Sequence, residues 1–393
     1  MSYTSADQQL LRRALDLARE GIGLASPNPY VGAIITDSQN VVGTGTYTYS
    51  GIRHAEILAL EQAGPRARGG TLYINLEPHA HQGRTPPCTD ALIAAGIRRV
   101  VACMPDPNPK VSGIGFDQLR TAGVEVEIEV GPLAEQARTL NEAFARYVRH
   151  ATPFVTLKAA MTLDGKIAPP PADLLSHPRG APARSGFSGN WVTSDVARAH
   201  VQELRHQNDA IMVGVGTVLS DNPLLTDRSG RPRRRPLLRV ILDSRLRLPL
   251  DSRLLPDSNQ VKDDILIFCS DADPQKKAQL EALGLRVEEI PGLAPEGRPD
   301  LSAILRRLAQ LEITSVMIEG GATVNWAALA SGVVDKVFLY YAPKILAGTG
   351  SIPFAAGAGF QHMSQAAQVQ RIQLHRFGED FAVEGYLRDP YTD

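Results

Sequence analysis

Strand-like and helix-like segments alternate along almost the whole chain, in two runs that meet near residue 150. Alternation of this kind describes a sheet with helices packed on its faces. In the first run, Ser5 and Gln8 have the spacing of a capping box. They precede Leu10, Leu11, Ala14, Leu15 and Ala18, an apolar face at helical spacing that stops at Gly21. The strand-like runs VGAIITD and VVGTGTY follow, then helix HAEILALEQAG closed by Gly64, strand GTLYINLEP, helix TDALIAAG and strand RRVVACMPD. The expectation is a three-layer α/β sandwich. One further helix, LAEQARTLNEAFARYVRH, leads to Thr152 and Pro153, where a new strand begins, so the chain divides into domains 1–150 and 151–393. Single cores stop growing at roughly 250–300 residues, which a chain of 393 exceeds.

The second run, from FVTLKAAM to KVFLYYAP, predicts a second α/β domain. It is interrupted by PPPADLLSHPRGAPARSG, which has little periodicity and reads as a surface insertion over 169–185. With 43% hydrophobic and 21% charged residues the composition is that of a globular protein. A formal net charge of -1 provides no long-range field to gather nucleic acid or an anionic membrane. The basic run from Arg228 to Arg235 is short, broken by proline and without interleaved aromatics, so it reads as a solvated loop. The start, MSYTSADQQLLRRAL, lacks the pattern of a secretory signal and no 18-residue apolar stretch occurs, which points to the cytoplasm. Cys88, Cys103 and Cys269 are an odd set without framework spacing, which argues against structural disulfides. Cys103, in RRVVACMP, reads as a core residue.

Chemistry enters with His54-Ala55-Glu56 at one helix start, Glu77-Pro78-His79 at a strand end and Pro87-Cys88 at a second helix start. Zinc deaminases pair an H-x-E motif with P-C-x-x-C, the His and two Cys binding metal and the Glu moving protons. Here His79 stands in place of the first Cys and the gap to Cys88 is longer. Catalytic zinc needs three protein ligands and one open position for an acidified water, a set that His54, His79 and Cys88 can supply. Glu56 is the candidate proton carrier. The helix start should bias Cys88 toward thiolate. His81 is the alternative ligand if His79 points elsewhere. HAE alone occurs by chance; the three pieces together are far more specific.

In the second half, Glu319-Gly320-Gly321 lies between strand SVMI and helix ATVNWAAL, where glycines allow a phosphate close to helix N–H groups. A plain tight turn is the simpler reading of that pair taken alone. No GxGxxG fingerprint occurs, which argues against a standard Rossmann domain.

The segments SPNPYVGAII, HAEILAL and LEPHAHQGRTPPCTDAL resemble the deaminase half of the riboflavin-biosynthesis deaminase-reductase family, whose usual loop is EPCSHxGRTPPC. LKAAMTLDGKIA, the long stretch through DNPLLTDR, and MIEGGATVNWAALASG resemble its reductase half. The resemblance covers nearly the whole chain. It implies a cytidine-deaminase-like N-terminal domain and a dihydrofolate-reductase-like C-terminal domain, with Zn²⁺ and NADPH as cofactors. The implied reactions are deamination of a diaminopyrimidine ribose phosphate and reduction of its ribosyl chain to ribityl. Asn28, in Ser26-Pro27-Asn28-Pro29, would hydrogen-bond the base and Arg84 would lie beside the substrate. NADPH would meet Ala160, Trp191, Thr193, Thr217, Asp221, Ser244 and Gly321, Ala322, Thr323, Val324, Asn325 and Trp326. Gly189, Arg205, Leu225, Arg228 and Glu319 would meet the substrate, with Arg the natural phosphate clamp. Arg205 lies within a helix, and read without the family it belongs to a solvated face. Lys158 and Asp221 are the candidates for proton transfer during hydride transfer, and related enzymes form dimers or tetramers.

Two departures stand out. His79 replaces a zinc-ligating Cys, making the centre one unit more positive, and Tyr47 replaces a common His. A rival reading is a monofunctional reductase whose first domain has lost zinc and serves in dimerisation. Another is a nucleoside, tRNA or nucleic-acid base deaminase with an unrelated appended domain, against which DNPLLT, EGG and the neutral charge argue.

Overall fold

The computed structural model describes residues 4–392 apart from 38–39, 84, 171–190, 256–263 and 294–296. Arg84, Gly189 and most of the expected insertion therefore lie outside the described residues. The first helix, α1 (Ser5–Arg19), buries Leu11, Ala14, Leu15 and Ala18, but its cap is Thr4 with Asp7 rather than Ser5 with Gln8. The correction has a tertiary cause: Asp7 also accepts from Tyr73 at 2.8 Å and Arg99 at 2.7 Å, so the box is anchored to the sheet.

Strands β1 (Gly32–Thr36), β2 (Val41–Thr46), β3 (Thr71–Ile74), β4 (Arg99–Ala102) and β5 (Glu125–Ile128) form one sheet in the order β2-β1-β3-β4-β5. Helix α1 and α5 (Pro132–Leu140) cover one face through Leu11, Leu15, Leu133 and Ala137. Helices α2 (Ala55–Ala63), α3 (Cys88–Ala95) and α4 (Ile114–Thr121) cover the other through Ala59, Leu92, Phe116 and Leu119. That makes the three layers expected. Glycines in VVGTGT set how closely α2 lies on β2: a Cβ at Gly43 would sit 2.0 Å from the Ala59 carbonyl oxygen. The expected single helix after β5 is two, α5 and α6 (Glu142–His150). Asn141, fully buried between them, turns its amide to Tyr30, accepting from its N–H at 2.8 Å and donating to its carbonyl at 3.2 Å.

The second unit contains β6 (Phe154–Thr162), β7 (Lys166–Ala168), α7 (Asp195–Gln207), β8 (Ala210–Gly214), α8 (Val215–Asp221), β9 (Leu238–Leu242) and β10 (Ile265–Cys269). After these come α9 (Pro274–Ala282), β11 (Arg286–Glu289), β12 (Gly292–Leu293), β13 (Arg298–Pro299), α10 (Leu301–Gln310), β14 (Ser315–Ile318) and α11 (Ala322–Ala330). The chain closes with β15 (Lys336–Ala342), β16 (Ile352–Pro353), β17 (Gln370–Phe377) and β18 (Asp380–Tyr386). Nine of these strands form a sheet in the order β11-β10-β9-β8-β14-β6-β15-β18-β17. It is parallel from β11 to β15 and ends in an antiparallel hairpin. Residues 210–213 alternate between a core under α10 and α11 and a core under α8 and α9, so both faces are covered.

The two units share a polar seam, and the basic run lies in it. Arg233 donates to the carbonyls of His206 (2.9 Å) and Asn208 (2.6 Å) and to Asp227 (3.0 Å), all within the second unit. Arg234 crosses the seam, stacking over Tyr49 at 3.9 Å and donating its N–H to Gly23 at 2.8 Å. Arg235 reaches Ser26 at 3.4 Å and the Glu312 carbonyl at 2.5 Å. The expected solvated loop is thus a clamp, because carbonyls and carboxylates left at the seam need donors. On the far side, Glu142 joins Lys336 (2.7 Å) and Tyr386 (2.6 Å).

Candidate functional site

His54 is the residue before α2, Cys88 is the first residue of α3, and His79 lies in the loop after β3, so neighbouring backbone elements bring all three to one end of the sheet. Each offers one ligand atom and these lie within 4.8 Å of one another. His54 Nδ1 is 3.2 Å from Cys88 Sγ, while its Nε2 faces Thr85 Oγ1 at 3.2 Å. His79 Nδ1 is buried with no hydrogen-bond partner. An orphaned buried nitrogen beside a His and a Cys fits a metal ligand. His79 Nε2 meets His81 Nε2 at 3.3 Å, and His81 is exposed and outside the ligand set. An outer partner of that kind fixes ring orientation. Burial, with His54 and His81 nearby, holds His79 down at about 4, the neutral form that a metal requires.

Burial, reinforced by the Glu56 carboxylate, pushes the Cys88 thiol far up, against the pull of the helix start. Metal binding would have to take that proton. Glu56 itself is 3% exposed, in the first turn of α2.

A cavity of about 310 Å³ opens onto this cluster, lined by His54, Glu56, His79, Asn28, Tyr47 and Asp106 among others. Asn28 donates to Tyr47 Oη at 2.5 Å and the Tyr47 ring sits edge-on to His54 at 5.5 Å. The residue that replaces the usual His therefore holds Asn28. Sequence reasoning missed Glu77. Its carboxylate accepts from the backbone N–H groups of Asp106, Gly113 and Gly115 at 2.7–2.9 Å and so fixes the loop that forms the opposite wall. Asp106, raised to about 6 mainly by burial, was missed as well. Both follow or precede prolines in ordinary-looking loops, and nothing local marks them.

A second cavity, of about 840 Å³, lies at the ends of β6, β8, β9 and β14. Among its walls are Lys158, Ala160, Thr217, Asp221, Ser244, Glu319 and the Gly321–Asn325 stretch, all named from sequence. Gly320 (φ 130°) and Gly321 (φ 85°) take backbone conformations costly for other residues, and α11 starts there without a side-chain cap. Its first N–H groups are left for a ligand, which fits a dinucleotide phosphate. Arg205 is not on a solvated face. It grips Glu319 through two bonds of 2.7 and 2.9 Å and donates to Thr226 at 2.9 Å. Lys158 Nζ lies 3.8 Å from Glu319. Burial lowers Lys158, opposed by Glu319, and Glu319 stays below its usual range despite burial because Lys158 and Arg205 face it.

Other expected residues do not line this cavity. Trp191 is exposed and stacked with Arg198; Thr193 is buried beside the same arginine, accepting from it at 2.6 Å. Trp326 packs against Gly357 and Phe360. The Leu225 side chain is in the core, and Arg228 is held through its backbone to Gln202 at 3.0 Å. None of these five lines the cavity as it stands.

Residues 153–383 match the RibD C-terminal domain family, and residues 4–104 match the cytidine and deoxycytidylate deaminase zinc-binding region. Riboflavin biosynthesis protein RibD of Actinobacillus pleuropneumoniae is 40% identical over 387 residues, covering 98% of this chain and 97% of that protein. The Synechocystis protein of the same name is 41% identical over 382 residues, 97% of this chain and 96% of its own. Acinetobacter baumannii RibD, form 1, superposes with a TM-score of 0.79 at 34% identity, covering 97% of this chain and 98% of that one. A Thermotoga maritima structure described as a diaminohydroxyphosphoribosylaminopyrimidine deaminase/5-amino-6-(5-phosphoribosylamino)uracil reductase gives 0.76, also at 34% identity, covering 97% and 98%. Two cavities of different chemistry, on a chain that matches these relatives end to end, lead to one conclusion: the chain belongs to the bifunctional RibD family of riboflavin biosynthesis, deaminase and reductase in one polypeptide, with zinc and NADPH as cofactors.

Proposed function

We propose that residues 1–150 remove the 2-amino group of 2,5-diamino-6-(5-phosphoribosylamino)pyrimidin-4(3H)-one as ammonia and that residues 151–393 then reduce the ribosyl side chain to ribityl. The observation that carries the first step is the convergence of His54, His79 and Cys88 beside Glu56 at one wall of the smaller cavity. Those three residues would hold zinc, which would supply Lewis acidity at this wall. Glu56, on the cavity wall, would carry the proton of the attacking water to the ring nitrogen and the leaving amine. Asn28, oriented by Tyr47, holds the pyrimidine edge, and Arg84 is a further proposed substrate contact.

For the second step NADPH, held in the larger cavity, would supply the hydride that reduces C1 of the ribosyl group. Lys158 delivers a proton to the ring oxygen as the C1–O bond opens, and Glu319 holds that ammonium in place. Its burial favours giving the proton up. Asp221, exposed on the same cavity wall, is the second proton carrier. Thr217, Ser244 and Gly321–Asn325 hold the dinucleotide; Ala160 borders its nicotinamide end. Trp191, Thr193 and Trp326 are further proposed contacts of the dinucleotide, and Gly189, Leu225 and Arg228 of the substrate.

No helix among the described residues is long and apolar enough to cross a membrane, and the three cysteines are free. Both agree with a cytoplasmic enzyme. Homo-oligomerisation is supported by β17, an edge strand with Ile372 58% and Leu374 73% exposed.

The test is zinc content and ammonia release for wild type and His79→Ala. One zinc per chain, lost together with ammonia release in the variant, is the expected result. A zinc-free wild type that oxidises NADPH only on the deaminated substrate would leave a monofunctional reductase.

A further inference from the structure

The turn that carries Asn28 belongs to the first unit, yet the second unit holds it. Asn28 N–H closes the turn onto the Ala25 carbonyl at 3.1 Å, with Ser26 and Pro27 between them. On one side of the turn the Asn28 amide lines the smaller cavity and donates to Tyr47. On the other side Ser26, itself buried, donates its hydroxyl at 2.7 Å to Asp209 of the second unit. Two further contacts press the same segment against that unit. Arg234 N–H donates to the Gly23 carbonyl at 2.8 Å, and Tyr49, whose N–H donates to the Leu24 carbonyl at 3.1 Å, lies under the Arg234 guanidinium.

Asp209 is a rigid anchor. Its carboxylate also accepts from the N–H and the hydroxyl of Thr314, both at 2.8 Å, and lies 3.2 Å from Arg235. Its own N–H donates to Ser315 Oγ at 2.9 Å and its carbonyl accepts from Leu238 N–H at 3.0 Å. Asp209 and Thr314 immediately precede β8 and β14, and Leu238 opens β9, so the starts of three neighbouring parallel strands fix this carboxylate. Thr314 and Arg235 satisfy it even without Ser26. Deleting the Ser26 hydroxyl therefore leaves the anchor paired and releases only the turn. The larger cavity is at the opposite end of β8, at Gly214; five residues at about 3.3 Å each put roughly 16 Å between the two places. Reduction should not register the change.

We infer that Asp209, a residue of the reductase unit, is a positioning residue for deamination: it holds the Ser26 hydroxyl and thereby sets where the Asn28 amide meets the pyrimidine. The inference rests on the reading of the smaller cavity as the deaminase site. The test uses the full zinc-loaded chain as wild type, S26A, D209A, D209N and the S26A/D209A double variant. Three quantities are read: kcat and KM for ammonia release from the diaminopyrimidine phosphate, NADPH oxidation on the deaminated substrate, and zinc content. S26A and D209A are each expected to raise the deamination KM about tenfold, with kcat, zinc and NADPH oxidation within about twofold of wild type. The double variant should be no worse than D209A, because both changes delete one contact. D209N keeps an acceptor oxygen for Ser26 and should bring KM back to within about threefold of wild type. S26A leaves the anchor paired, so it carries the test if D209A does not fold. An unchanged KM in S26A, additive losses in the double variant, or an equal fall of both activities would sink the inference while the deaminase site stands. A wild type that releases no ammonia overturns both.

Discussion

In the N-terminal unit the chemistry is carried by side chains at helix starts, a His, a Cys and a Glu packed around a small cavity. In the C-terminal unit a turn of two glycines and the opening of a helix form a large part of a wider cavity, and the charged groups stand at its ends. Side-chain sites fail sharply when one atom is removed. Backbone sites fail by degrees, because a substitution shifts the wall without deleting a ligand. The comparison is therefore testable by how steeply each half loses function.

The largest effect belongs to the side-chain site. Glu56→Gln should lower ammonia release by about a thousandfold or more while zinc stays at one per chain and reductase turnover is unchanged. If reductase turnover falls equally, the halves are not separate catalysts. Next in size is an effect on the seam that belongs to neither site. Burial alone would raise the Asp227 carboxyl, but the Ser229 amide, His206 and Arg233 hold it down to about 2. A depressed acid stabilises the fold above its ordinary pKa and loses that contribution as pH falls toward the depressed value. Between pH about 4 and 2 the wild type should lose up to about 2 kcal/mol more than Asp227→Asn, read by urea midpoints. Equal acid sensitivity of the two proteins would remove Asp227 from the clamp.

Gly321→Ala probes the backbone site. With φ at 85° and Thr217 Oγ1 3.4 Å from the new Cβ, it should raise KM for NADPH about tenfold and leave deamination alone. A thousandfold loss instead would show that the turn behaves like a side-chain site. The smallest effect is Tyr47→Phe, which frees Asn28 and should raise KM for the diaminopyrimidine about fivefold with little change in kcat. A fall in kcat alone would place Tyr47 with the proton carriers.

The same contrast explains what could be read from the sequence. His54, Glu56 and Cys88 were legible because their chemistry is in the residue types and their helix starts follow from local pattern. The layers were legible too, since apolar periodicity in α1 and the strands reports the face that is buried. Thr4 as the cap, the break at Asn141 and the scaffold role of Glu77 were not, because each is decided by a partner distant in sequence. Arg233–Arg235 misled for the same reason: a run of like charges has the same appearance whether it faces water or a row of carbonyls. Arg205 was half legible, its helix placed correctly and its carboxylate partner 114 positions away unseen.

The seam also has a consequence for inheritance. Ser26 belongs to the loop that carries Asn28, yet its hydroxyl donates at 2.7 Å to Asp209, the residue before β8 of the second unit. Asp209 further accepts from Thr314 and lies 3.2 Å from Arg235. A lineage that shed either half would bare this buried carboxylate and its arginine at once, and would need several compensating changes before the remaining piece had a finished surface. Cutting the chain between its halves therefore removes more than a linker: each piece inherits one side of a buried, charge-assisted hydrogen bond without the other.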